Sequence, residues 1–269
     1  MQEKALLFLT KWFYQYVQSF YSGDEQLQFH VRLKEEHTLR VMNHAADIAK
    51  WLTLTPKQQK LAQIAGLLHD IGRFKQYQTY RTFNDGLSVN HAELGLEVLE
   101  QSHVLQTAGL SRGEQETVKQ AVLYHNRRQL DPELEQESFV LAQITRDADK
   151  LDIFSMLVTK DQANKVPHAP ELKLDTQYSP HIIEEILQDE LIKPKDINNS
   201  ADLMLFRLSW IYDINFAYSF SYILQKKYVE QIVATLPDTK DIQHVYQHIL
   251  QYIDMQIRVQ EAITSEKDF

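Results

Sequence analysis

AGLLHDIGRF (residues 65–74) is the stretch on which the reading of this chain turns. Its apolar run ends abruptly in His69-Asp70. Packing alone does not explain that ending, because burying an unpaired carboxylate costs several kcal/mol unless a cation or hydrogen bonds compensate it. A metal ion is the simplest compensation. Working outward, further candidate ligands follow in order: His37 before the pair, then His91, His125 and Asp149 after it.

The surrounding sequence puts all of these groups on helices or at helix ends. Over residues 33–52, Val41, Met42, Ala45, Ile48, Ala49 and Leu52 recur at helical spacing. His37 lies one turn before Val41 on that face and should point inward. Thr55-Pro56-Lys57-Gln58 supplies an N-cap, a proline at the first helical position and a glutamine three residues after the cap. The next helix therefore starts there, runs to His69-Asp70 and stops near Gly72. His91 falls in the first turn of a helix opening near Ser88, after the turn-rich Asn84-Asp85-Gly86. Over residues 117–126, Val118, Ala121, Val122 and His125 share one face. Asp131-Pro132 then announces, by the same cap-and-proline logic, the helix that carries Ile144, Ala148 and Asp149.

Composition bounds the answer. With only 7 Gly and 7 Pro in 269 residues, the turns that many short strands need are scarce, which favours an all-α fold. A chain of this length buries a full core as one large or two small units, and 43% hydrophobic with 24% charged residues gives no sign of disorder. Cysteine is absent, which excludes a disulfide-stapled secreted domain. The opening MQEKALLFLTKWFYQYV lacks a basic stretch followed by an apolar run and a small-residue cleavage site. It reads as an amphipathic helix packing on the core, and a cytoplasmic location is expected. A net charge of −9 argues against membrane binding and against broad binding to nucleic-acid backbones. An anionic substrate must then be met by a local cluster, which favours a small phosphorylated molecule over a polymer.

In these residues the chain resembles the HD superfamily of metal-dependent phosphohydrolases, whose pattern is a histidine, a His-Asp pair and a distant aspartate. His37, His69-Asp70 and Asp149 match it, the last within Ala148-Asp149-Lys150-Leu151. His91 and His125 occupy the places of two further histidines that mark the binuclear branch of that superfamily. The resemblance spans roughly residues 30–160 and implies an HD-domain helical bundle. It implies His37, His69, Asp70, His91, His125 and Asp149 as metal ligands, with Asp147 and Asp152 as candidates for the layer behind them. One departure matters: the Gly-Tyr-Pro signature of the cyclic-dinucleotide phosphodiesterases is missing after His125, where the chain reads Asn126-Arg127-Arg128-Gln129. Cyclic di-GMP is therefore not a favoured substrate.

Mixed imidazole and carboxylate ligands suit one or two divalent ions of Mn, Fe, Co, Ni or Zn better than Mg. If Asp70 bridges two ions about 3.5–4 Å apart, a water between them is acidified and oriented, and charge developing on a phosphoryl oxygen is stabilised. The expected function is hydrolysis of a phosphate ester of a nucleotide or related small molecule by a metal-activated hydroxide, with His69, Asp70 and Arg73 as catalytic residues. Arg73 and Lys75 follow the His-Asp turn closely enough to take the substrate's phosphate, and Arg127 and Arg128 are the next basic groups. Two alternatives stand beside this reading: an HD-fold di-iron oxygenase, and a non-catalytic signalling module that binds a nucleotide. Arg73 stands where the oxygenase branch carries lysine, and retention of every expected ligand disfavours the module.

The remaining histidines, His30, His44, His103, His168, His181, His244 and His248, read as core or surface groups. Residues 1–160 are expected to form the HD domain with its N-terminal helix, and residues 161–269 a helical extension packed on it as one structural unit. Pro167, Pro170, Pro180 and Pro194 make residues 161–200 an irregular excursion, expected to pass over the site, with a short helix after Ser179-Pro180. The apolar stretch 203–224 contains Arg207, Asp213 and Asn215, which are costly in lipid, and is expected to be one buried helix. An amphipathic helix follows near 240–262.

Overall fold

Three- and four-residue apolar spacing makes helices along this chain, and among the described residues no strand forms. The structure, a computed structural model, describes residues 2–159 and 177–265. Of the proline-rich excursion expected to cross the site, residues 161–176 lie outside the described residues. The chain divides into two units, residues 1–152 and 153–269.

In the first unit, α1 (Gln2–Gln18) and α2 (Glu25–Trp51) pack against α3 (Pro56–Leu68), and α3 also packs on α7 (Arg112–Tyr124). α4 (Ile71–Tyr80) lies on α5 (His91–Ser102), which meets α7; a single turn, α6 (Val104–Thr107), connects them, and α8 (Gln136–Val158) carries the chain into the second unit. The amphipathic reading of the first helix holds: Leu9, Phe13 and Val17 are fully buried, and Phe13, Tyr16 and Phe20 surround Phe74 of α4 with ring centroids 5.9–6.2 Å away. Such aromatic contacts, edge-on for Phe13 and Tyr16 and tilted for Phe20, add to the area term that drives burial.

Several helix ends differ from expectation. Thr55 and Gln58 form the expected capping box. Gly72, however, does not end a helix: α3 stops at Leu68, His69-Asp70 is a two-residue elbow, and α4 starts at Ile71. Glycine is needed there for close approach, since a Cβ at position 72 would lie 2.2 Å from the His91 carbonyl oxygen and 2.6 Å from Gly95 N. α5 begins at His91 rather than near Ser88, because Asn90 accepts from Ala92 N and Glu93 N. α7 is started by a capping box between Ser111 and Glu114. Asp131-Pro132 starts no helix: Asp131 accepts from Glu133 N and Leu134 N in a turn, and α8 begins at Gln136.

In the second unit, α9 (Pro180–Leu187) packs on α10 (Ser200–Ser209) and on α13 (Lys240–Ser265), which also takes α11 (Ala217–Gln225) and α12 (Tyr228–Val233). The single helix expected over 203–224 is instead broken between α10 and α11 by a 3₁₀ turn at Trp210–Asp213. Gln260 stabilises the break, accepting from Ala217 N at 2.6 Å and donating to the Asn215 carbonyl at 3.0 Å. Ala217 opens α11, where a helix leaves its first backbone N–H groups without an intrahelical partner. No helix among the described residues is long and apolar enough to cross a membrane.

Candidate metal centre

The fold brings His37 from α2, His69 and Asp70 from the elbow, His91 from the start of α5, His125 from the end of α7 and Asp149 from α8 into one cluster. The four imidazoles and Asp70 are at most 4% exposed. Asp149 keeps about a fifth of its side-chain surface.

Every one of the four rings has its Nδ1 held by an acceptor. His37 Nδ1 donates to Asp152 at 2.6 Å and His91 Nδ1 to Asp85 at 2.6 Å. His69 and His125 donate to carbonyls three residues back in their own helices, Gly66 O at 2.8 Å and Val122 O at 2.6 Å. This network assigns the Nδ1–H tautomer to each ring when it is neutral, and in that state all four Nε2 atoms present lone pairs inward.

They converge on Asp70 from two sides. Asp70 Oδ2 lies 3.5 Å from His37 Nε2 and 3.6 Å from His69 Nε2, and these two nitrogens lie 3.1 and 3.7 Å from Asp149 Oδ1. Asp70 Oδ1 lies 3.3 Å from His91 Nε2 and 3.7 Å from His125 Nε2. The buried Nε2 atoms of His37 and His69 have no hydrogen-bond partner, and those of His91 and His125 face each other at 2.9 Å. Lone pairs aimed at one another and at carboxylates fit a cation between them; this donor set suits a divalent transition metal.

Electrostatics point the same way. Burial and Lys34 push His37 down, yet Asp149, Asp152 and Asp70 carry it up to about 10, the mark of a place short of positive charge. Burial, then Arg73, push His91 down to about 3, and burial lowers His125, leaving both rings neutral and free to ligate. Burial works to raise the carboxyls of Asp70 and Asp149, but Lys34 and His69 for the former, and His37 and His69 for the latter, hold them well below the usual range.

A second layer fixes the first. Asp152 is fully buried and also accepts from Arg40 Nε at 2.5 Å. Arg146 of α8 donates to the carbonyls of Tyr124, His125 and Arg127, closing the end of α7 where His125 sits. Asp147 is fully buried beside it in sequence. Among the basic residues expected at the site, Arg73 is the one drawn in: Nε lies 3.5 Å from Asp70 Oδ1, while Nη1 donates to Asp85 at 2.8 Å. Lys75 is half-buried on α4. Arg127 is exposed and pairs with Glu93 at 2.8 Å, and Arg128 is exposed. The cation that sequence reasoning missed is Lys34, 2.6 Å from Asp70 Oδ2. Its spacing, one turn before His37 on the same helix face, was the available signal.

Residues 35–153 match the family model described as HD domain, a family made up largely of metal-dependent hydrolases. No curated protein and no solved structure matched the chain.

Proposed function

Because the chain carries an HD domain whose histidines and carboxylates meet in one buried cluster, we propose that it is a metal-dependent phosphohydrolase cleaving a phosphate ester of a nucleotide or related small molecule. The observation that carries this reading is the placement of Asp70, with one oxygen toward His37 and His69 and the other toward His91 and His125. His37, His69 and Asp149 would hold one divalent ion, His91 and His125 the other, and Asp70 both. Bound there, such ions acidify a water and stabilise charge developing on a phosphoryl oxygen.

The chain's own residues do the rest. Asp152 and Asp85 keep the lone pairs of His37 and His91 turned inward. Lys34 and the Nε edge of Arg73 are cations at the Asp70 carboxylate, and they supply donors for the substrate's phosphate. Asp149, the most exposed of the ligands, marks the side from which substrate enters. Phe83 is half-buried, with its ring centroid 5.4 Å from Lys34 Nζ and 4.8 Å from the Tyr77 ring, and it would give a base an aromatic neighbour beside the phosphate position, which favours a nucleotide. With a net charge of −9, an anionic substrate has to be met by this local cluster, which favours a small phosphorylated molecule over a polymer.

The test is an assay of protein loaded separately with Mn²⁺, Fe²⁺ or Ni²⁺ against a panel of nucleotides and phosphate esters. Metal-dependent phosphate or nucleotide release that is lost in Asp70→Asn is the expected result. No hydrolysis of any member, with turnover that instead needs iron and dioxygen, would replace the hydrolase by the oxygenase chemistry.

A further inference from the structure

His91 is held differently from the other three imidazoles. His69 and His125 lean on carbonyls of their own helices and His37 on a helix-borne aspartate, but the partner of His91 is Asp85, in the connection between α4 and α5. That connection is strapped to α4 along its length. Arg73 Nη1 donates to the Phe83 carbonyl at 2.6 Å, to Gln76 Oε1 at 2.9 Å and to Asp85 Oδ1 at 2.8 Å. Gln76, fully buried, donates to Asp85 Oδ1 at 2.8 Å, Ser88 Oγ at 2.9 Å and the Val89 carbonyl at 3.0 Å. From α7's end, Asn126 Nδ2 reaches Asp85 Oδ2 at 3.4 Å and Asn90 Oδ1 at 3.2 Å.

We propose that Asp85, clamped by Arg73, Gln76 and Asn126, is the positioning residue that orients His91 and thereby assembles the half-site of the second metal ion. The carboxylate accepts the Nδ1 proton, which fixes the tautomer and leaves Nε2 aimed at Asp70 Oδ1, 3.3 Å away. A strap residue thus decides whether the His91–His125 side accepts an ion, while the His37–His69–Asp149 side, held from helices, does not depend on it. Arg73, read from sequence as a phosphate ligand, is on this view first the anchor of the strap. The metal consequence rests on the two-ion reading above; the orientation of His91 does not.

Two measurements separate these. Nitrogen-15 NMR of the metal-free protein reports the imidazole tautomers: the His91 ring is expected as Nδ1–H in the native chain, and as a mixture or Nε2–H in Asp85→Ala, with recovery in Asp85→Glu. Titration with Co²⁺, followed by visible absorption and metal analysis, should show the second-ion affinity of Asp85→Asn and Asp85→Ala reduced about 10–100-fold with the first unchanged. Arg73→Lys, which keeps the charge but loses the planar fork, should fall between. If the native chain takes up only one ion, the two-ion reading fails and the NMR result alone decides the role of Asp85. An Nδ1–H ring at His91 in Asp85→Ala would overturn the assignment, and so would native affinity for a second ion in that variant.

Discussion

The Nε2 atoms of His91 and His125 lie 2.9 Å apart, although each ring gives its Nδ1 proton to another partner, Asp85 for one and the Val122 carbonyl for the other. Two neutral acceptors at that distance repel unless a cation sits between them and their neighbours. With Asp70, the pair could hold an ion, which is the place the proposed function gives to the second one.

Removing one member should remove one ion. His125→Ala loaded with Mn²⁺ is expected to retain about one ion per chain where the native protein takes about two, as counted by elemental analysis after gel filtration. Equal content in the two proteins would show that this pair holds nothing.

The metal-free protein should respond to pH from both sides. His91 lies near 3 through burial and Arg73, and His125 is lowered by burial. For an imidazole whose folded pKa is below its unfolded value of about 6.5, the unfolded state binds more protons, and stability falls as pH drops below about 6.5. His37, carried up to about 10 by three carboxylates despite burial and Lys34, has the opposite sign. Its contribution is complete below about 6.5 and is lost as pH rises toward 10. A bound cation takes the place of that proton, so Tm should decline from pH 7 to 9.5 in metal-free protein and stay level in loaded protein. The same decline in both would contradict the assignment.

Gly72→Ala should strike fold and site together. The added Cβ meets backbone atoms of His91 and Gly95, which cannot move aside like a side-chain end. Overpacking of this kind costs about 1–3 kcal/mol, a fall in Tm of roughly 2–12 °C for a unit of this size, and it displaces His91 from Asp70. Calorimetry with a parallel metal titration checks both effects; an unchanged Tm would mean that α4 and α5 separate freely.

Lys34 and Phe83 should divide substrate recognition. Losing a charge-assisted hydrogen bond of about 1.5–3 kcal/mol, Lys34→Met should lower kcat/KM roughly 10–100-fold on every phosphate ester that the native protein cleaves. Phe83→Ala should instead raise KM for nucleotides and spare simple phosphate monoesters. Equal losses on both substrate types in Phe83→Ala would argue that the ring only packs.

The residues that the fold gathers were legible from a His-Asp pair ending an apolar run, from histidines at one end of apolar helix faces, and from the family resemblance that those residues carry. Thr55-Pro56 and Ser179-Pro180 likewise started helices where the sequence placed them. What stayed hidden depends on partners remote in sequence. Gly72 looks like a helix stop until Gly95 and the His91 carbonyl arrive against it. The stretch 203–224 looks continuous until Gln260 pairs the backbone of its break. Asp85 reads as a turn residue, and only the folded chain brings it between Arg73 and His91. Lys34 was within reach of spacing arguments, but a lysine beside two glutamates reads first as a solvated helix face.

Electron paramagnetic resonance of the Mn²⁺-loaded protein tests the shared role of Asp70 most directly. Ions that share one carboxylate couple their spins, so the native protein should give an exchange-coupled spectrum and Asp70→Ala the signal of isolated Mn²⁺. An uncoupled signal from the native protein, unaltered by Asp70→Ala, would contradict a centre built around that residue.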